Sequence, residues 1–208
     1  MAASAGKTIH SLKPPVSFHD EQLMLVDCDD VVVGYADKLN AHQGAGRLHR
    51  AFSVFLFDDN QRLLVHRRAS KKPLWPGFWT NSCCSHPRRG ETLDHAVHRR
   101  IYEELGVNAP ATSIYSFEYR AEYLDLGTEH ELCHVFLARA PAGCALNVHE
   151  DEIAEVKWLT VDEVDVLASD QSSVATPWFK LEWQALRTTY AKTFDRYLAT
   201  PDATRIVA

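Results

Sequence analysis

The chain has no uninterrupted apolar stretch near the roughly 20 residues that a bilayer-spanning helix needs, so no membrane association is expected. It also lacks a basic excess. Its 22 Lys and Arg against 28 Asp and Glu leave a formal charge of −6, the wrong sign for a general nucleic-acid binder. Residues 1–17 carry Lys7 and Lys13 but no apolar core of the kind a secretory signal requires. The five cysteines are odd in number, and adjacent Cys83 and Cys84 cannot bridge each other without strain, so reduced thiols and a cytoplasmic setting are expected. There is no internal repeat and no low-complexity tract.

What is present suits one globular domain, since 208 residues can bury a continuous core. Residues 1–21, mixed Ser, Pro, Gly and Lys without a period, read as a mobile arm; 22–199 read as the domain and 200–208 as a tail. Residues 23–26 and 31–35 predict one hairpin, and 52–57 with 63–66 a second across Asp58-Asp59-Asn60. In residues 91–105 the period changes to four, at Leu93, Val97, Ile101 and Leu105, and Gly106 is a natural helix stop. Further strands are predicted at 114–123, 132–138 and 156–159, and helices at 161–167 and 177–197. The glycines of residues 38–50 predict a loop there. Strands interrupted by one central helix, with helices gathered late, predict an α+β fold: a mixed sheet covered on both faces.

Three clusters carry chemistry. Glu129 and Glu131, two apart, share one face of an extended chain, where paired carboxylates repel unless a cation or proton lies between them. Residues 67–72 (Arg-Arg-Ala-Ser-Lys-Lys) form a local basic patch on an acidic chain. Cys84 stands two residues before His86, and Cys83 in a locally extended segment points the other way.

Glu91-x7-Arg99-Arg100-Ile101-Tyr102-Glu103-Glu104-Leu105-Gly106 resembles the Nudix signature, whose carboxylates meet a metal-bound diphosphate. The resemblance implies a Nudix-type mixed β-sheet sandwiched between α-helices in a single domain, with Glu104 holding Mg²⁺ against the diphosphate. Ser85 replaces the signature's opening Gly, and Arg100 replaces the Glu that serves hydrolysis, which argues against cleavage of a pyrophosphate.

Trp75-Pro76-Gly77, then Trp79-Thr80-Asn81, then Cys84-x-His86-Pro87, resembles the metal-dependent isopentenyl diphosphate isomerases, over residues 23–183. That resemblance implies interconversion of isopentenyl and dimethylallyl diphosphate, by adding a proton to one carbon and removing one two carbons away. Cys84 and Glu131 would be the two acid/base groups, Tyr119 an assistant near the carboxylate, and Trp183 the ring face that stabilises a carbocation. His42, His49, His86, Glu129 and Glu131 would hold a transition metal, Mn²⁺ or Zn²⁺. Lys38, Arg68, Lys72 and Arg100 would hold the diphosphate. The partner is thus a small-molecule diphosphate, and a monomer is expected. Two other classes are disfavoured. A Nudix hydrolase would need the carboxylate that Arg100 replaces, and a structural zinc module would show closely spaced ligand pairs rather than ligands spread over some ninety positions.

Overall fold

The structure, a computed structural model, describes residues 13–170, 172 and 174–200. Chain order is β1 (Gln22–Val26), β2 (Val32–Asp37), α1 (Lys38–His42), β3 (His49–Phe57), β4 (Leu63–Arg68), β5 (Trp79–Thr80), β6 (Cys83–Ser85) and α2 (Leu93–Leu105). It continues with β7 (Ala111–Tyr123), β8 (Gly127–Arg139), β9 (Ile153–Leu159), α3 (Val161–Ser169), α4 (Pro177–Arg187) and α5 (Ala191–Ala199). The strands form one mixed sheet centred on β3. One edge of β3 runs parallel to β8 from His49↔Glu131 to Phe57↔Arg139. Its other edge meets β1 at its start, β6 in its middle and β4 at its end.

Alternation along β3 builds the two halves of the core. Phe52, Val54 and Leu56 pack with Val97, Ile101 and Leu105 of α2, whereas Phe55 and Phe57 pack with Phe179, Trp183 and Phe194 of α4 and α5. The predicted sheet between helical layers is therefore what forms. α2 begins at Thr92, whose side chain accepts from the His95 amide, and ends at Gly106 in the left-handed region at φ 71°. A Cβ at Gly106 would stand 2.6 Å from the Asn147 Cβ, so both the backbone angle and the neighbouring loop require glycine.

Local pattern misled the reading in four places. The predicted hairpin of β3 and β4 closes at only one pair, Phe57↔Leu63, because β1 and β6 take the rest of that edge of β3 while β4 pairs with β9. The segment at 38–50 opens with a helix, not a loop, because the Asp37 side chain caps α1 through the Asn40 amide. The strand expected at 132–138 extends back to Gly127. The late helix is two, broken at 188–190. No helix among the described residues is long and apolar enough to cross a membrane.

Candidate active site

The sheet register assembles a site that is dispersed in sequence. Glu131 on β8 is opposite His49 on β3 and, across its other edge, opposite Tyr119 on β7; Cys84 on β6 is opposite Ser53 on β3. β3 therefore sets a histidine next to one acid/base candidate and a serine next to the other, four residues apart. As the alternation predicts, Cys83 is fully buried against α2 while Cys84 faces a cavity of about 340 Å³. Glu131, Tyr119 and His86 line the same cavity.

His42, His49, His86, Glu129 and Glu131 offer ligand atoms all within 4.8 Å of one another. His42 and His49 place Nδ1 2.7 Å from the Lys38 and Arg47 carbonyls, which orients each ring with Nδ1–H donating and leaves Nε2 as a bare lone pair. Those Nε2 atoms point at carboxylate oxygens, 2.7 Å from Glu129 Oε2 and 3.6 Å from Glu131 Oε1. His86 Nε2 lies 2.9 Å from the same Glu131 oxygen. Buried His49 Nε2 and Glu129 Oε2 have no hydrogen-bond partner. Lone pairs facing carboxylates in a buried site repel unless a cation sits between them, so this donor set fits a metal ion. Electrostatics agree with that crowding. The His86 imidazole is held well below its ordinary pKa, first by burial and then by His49, Lys38 and His42. Burial pushes Glu129 up, but the charge of His42 brings it below the usual carboxylate range.

The two candidate acid/base groups differ in surroundings. Cys84 Sγ donates to Asn81 Oδ1 at 2.7 Å and lies 3.3 Å from Ser53 Oγ; burial and then the Glu182 charge push its pKa up. Glu131 accepts the Tyr119 hydroxyl at 2.6 Å. Burial raises the Glu131 pKa, but the neighbouring His49 and the Tyr119 hydroxyl carry it below normal.

Four cations, Lys38, Arg68, Lys71 and Lys72, line the same cavity. Lys38 is pushed down to about 8, by burial first and then by the cations of Lys72 and Arg100. Such mutual repulsion is what a bound polyanion relieves. Arg68 donates to the Leu74 carbonyl at 2.9 Å and lies over the Trp178 ring at 5.4 Å.

Three expected residues are placed differently. Trp183 does not line the cavity; it packs on Phe55 and Phe194 and donates Nε1 to Asp165 at 2.7 Å. Trp178, five positions earlier and so roughly 140° around α4, takes the place on the wall. Glu104 and Arg100 lie on the buried face of α2, each 2% exposed, and pair with each other at 2.5 Å. Neither lines the cavity, and Arg100 also approaches Glu152 at 3.3 Å and donates to the Val16 carbonyl at 2.6 Å. One Glu104 oxygen is thus engaged by Arg100, a pairing that Mg²⁺ arriving with the diphosphate would have to displace. Sequence reading also missed the cover of the site. Residues 15–19, assigned to a mobile arm, line the cavity, Ser17 Oγ accepts from Lys38 at 2.6 Å, and the Pro14 carbonyl lies 2.9 Å from His149 Nε2. No periodicity marks that segment. Residues 1–12 and 201–208 lie outside the described residues.

Fold and site together define a Nudix-fold protein with a histidine and carboxylate metal cluster beside a thiol, and a NUDIX domain model matches residues 47–179. A crystal structure of DR0079 from Deinococcus radiodurans is similar at TM-score 0.63 and 23% identity, covering 79% of this chain and 98% of that one, a likeness of fold alone. Two curated relatives are nearer in sequence. Isopentenyl-diphosphate Delta-isomerase 1 of Photorhabdus laumondii is 41% identical over 165 residues, covering 78% of this chain and 93% of its own. Isopentenyl-diphosphate Delta-isomerase of Escherichia coli K12 is 42% identical over 171 residues, covering 81% and 90%. The chain belongs to the Nudix-fold isopentenyl-diphosphate Delta-isomerase family.

Proposed function

We propose that this chain interconverts isopentenyl diphosphate and dimethylallyl diphosphate by moving two protons. The observation that carries the reading is one cavity whose walls hold a thiol, Cys84, a carboxylate, Glu131, and the cations of Lys38, Arg68 and Lys72. A diphosphate held by those cations sends its short apolar chain toward the two acid/base groups. One group delivers a proton to the terminal carbon, leaving a tertiary carbocation. The other removes a proton from the carbon two positions away, so that the double bond reforms internally and no atom is lost. Tyr119, bonded to Glu131, orients that carboxyl. Trp178 presents the indole on the cavity wall and takes the cation-stabilising role, worth about 2 kcal/mol when water is excluded. The strap at residues 15–19 helps exclude that water.

His42, His49, His86, Glu129 and Glu131 are proposed to hold Mn²⁺ or Zn²⁺, because mixed imidazole and carboxylate donors suit a transition metal better than an all-oxygen site does. Such an ion would supply fixed positive charge that orients Glu131 and offsets the paired carboxylates. Mg²⁺ brought with the diphosphate would be held by Glu104 in exchange for its ion pair with Arg100. A cytoplasmic setting is supported by five free cysteines.

The test follows purified protein, a divalent metal and isopentenyl diphosphate in D₂O by proton NMR. Deuterium entering the carbon chain as dimethylallyl diphosphate accumulates is the expected result. Released pyrophosphate with an intact starting double bond, or no change with metal bound, would overturn the proposal.

A further inference from the structure

Glu182 is a carboxyl with no exposed surface that the chemistry above does not use. It projects from α4 one turn after Trp178, on the same side of the helix. Among the described residues no Lys, Arg or His pairs with it. Its Oε1 accepts from the Cys133 thiol at 3.5 Å, and its buried Oε2 has no hydrogen-bond partner. The Cys133 thiol also reaches Ser53 Oγ at 3.5 Å, and Ser53 Oγ lies 3.3 Å from Cys84 Sγ. A short run of hydroxyl and thiol groups thus connects a carboxyl that has no cation to the reactive sulfur.

The titratable groups around Glu182 are Cys133 and Glu131 on β8, Cys84 on β6, and Tyr115 on β7, whose hydroxyl donates to the Glu182 backbone carbonyl at 3.1 Å. From β3 comes only the neutral Ser53. On the far side of α4, Arg187 is bound to Asp165 of α3, and Tyr190, before α5, stacks on Tyr115. Burial, opposed by hydrogen bonds from Ser53 and Cys133 and reinforced by the charge of Glu131, brings the Glu182 pKa up to about 8. At neutral pH it therefore carries a proton, and a protonated carboxyl must donate.

We propose that Glu182 is a positioning residue for the Cys84 thiol: its carboxyl proton, donated to the Cys133 sulfur, turns the Cys133 S–H to Ser53 Oγ and so the Ser53 hydroxyl to Cys84 Sγ. With that proton gone, the carboxylate becomes the stronger acceptor and draws the Cys133 S–H to itself, and the Ser53 hydroxyl turns to the Cys133 sulfur, away from Cys84. The inference rests on Cys84 acting in the isomerisation proposed above. One pH unit above the transition about a tenth of the molecules keep the proton, so kcat falls about tenfold from its plateau. Lys38 titrates in the same range, but it serves the diphosphate end and moves KM instead.

The experiment measures kcat and KM across the pH range around 8, in the parent protein, Glu182→Gln and Ser53→Ala. In parallel, infrared spectroscopy without substrate follows the S–H stretch of Cys84, identified by its loss in Cys84→Ala. The expected result is a falling kcat limb in the parent that is missing from both Glu182→Gln and Ser53→Ala, with a Cys84 S–H band that shifts across the same pH range only in the parent. A limb that persists in Glu182→Gln, or a band that does not move in the parent, overturns the proposal. Should Glu182→Gln fail to fold, Ser53→Ala decides by the same readouts. If the parent does not isomerise the substrate, the proposed function falls, and the S–H band still decides whether Glu182 controls the sulfur.

Discussion

At the scale of single residues, the two candidate acid/base groups make separable predictions. Cys84→Ala is expected to abolish turnover while leaving bound metal unchanged, because Cys84 is not in the ligand set. Glu131→Gln is expected to stop turnover and lower bound metal, because Glu131 is in it. Elemental analysis alongside the NMR assay checks both, and equal metal loss in the two variants would contradict the division of roles. His66 gives a prediction about stability. It is buried with Nδ1–H donating to the Ser82 carbonyl at 3.1 Å, and burial, helped by Arg68, holds its pKa down to about 3. Between pH 6.5 and about 3 the unfolded chain binds a proton at this site and the folded chain does not. Stability therefore falls as pH falls through that window, by about 1.4 kcal/mol per unit from this residue. Urea midpoints for the parent and His66→Gln between about pH 4 and 6 should show a shallower dependence in the variant. Cys84, Glu131 and His86, singled out from residue type and neighbours, do meet at one cavity, whereas the indole on its wall is Trp178 and not Trp183, because sequence does not say which indole a helix turns toward a cavity.

At the scale of elements, α2 was readable because its cues are local: a four-residue apolar period, a capping Thr92 and a stop at Gly106. What sequence could not say is that Asn147, forty-one positions on, packs against that stop. Gly106→Ala is expected to destabilise the fold by about 2 kcal/mol, through a left-handed alanine and a clash with Asn147. For a chain of this length that lowers Tm by roughly 6 °C, measurable by calorimetry. An unchanged Tm would mean that the loop yields freely. The hairpin expected between β3 and β4 failed for the complementary reason. Both strands have the right pattern, but strand pattern does not choose a partner, and on the edge of β3 that β4 would need, β6 takes three register pairs and β1 one, which leaves β4 one.

At the scale of the whole molecule, an ion held by the proposed ligands would tie α1, β3, β8 and the segment just after β6 together. An ion bound only by the folded state raises its stability, by about 2.7 kcal/mol at a hundredfold excess over Kd. Saturating Mn²⁺ or Zn²⁺ is expected to raise Tm by roughly 5–10 °C and a chelator to reverse it. His42→Ala, His49→Ala and His86→Ala should each lose most of that increment. A shift that survives all three substitutions would place the ion elsewhere.

The sequence by itself determined the four-residue period of α2, the alternation that parts Cys83 from Cys84, the local motifs, and through them the family. Those are properties of neighbours along the chain, where backbone geometry leaves few choices. Only the tertiary structure decided which residues meet. It put Glu131 opposite His49 and Cys84 opposite Ser53, buried Arg100 against Glu104, and laid residues 15–19 over the cavity. It also connected Glu182 to the reactive thiol. Those pairings follow from strand register and the packing of layers, energies summed over the whole sheet, which no short stretch of sequence contains.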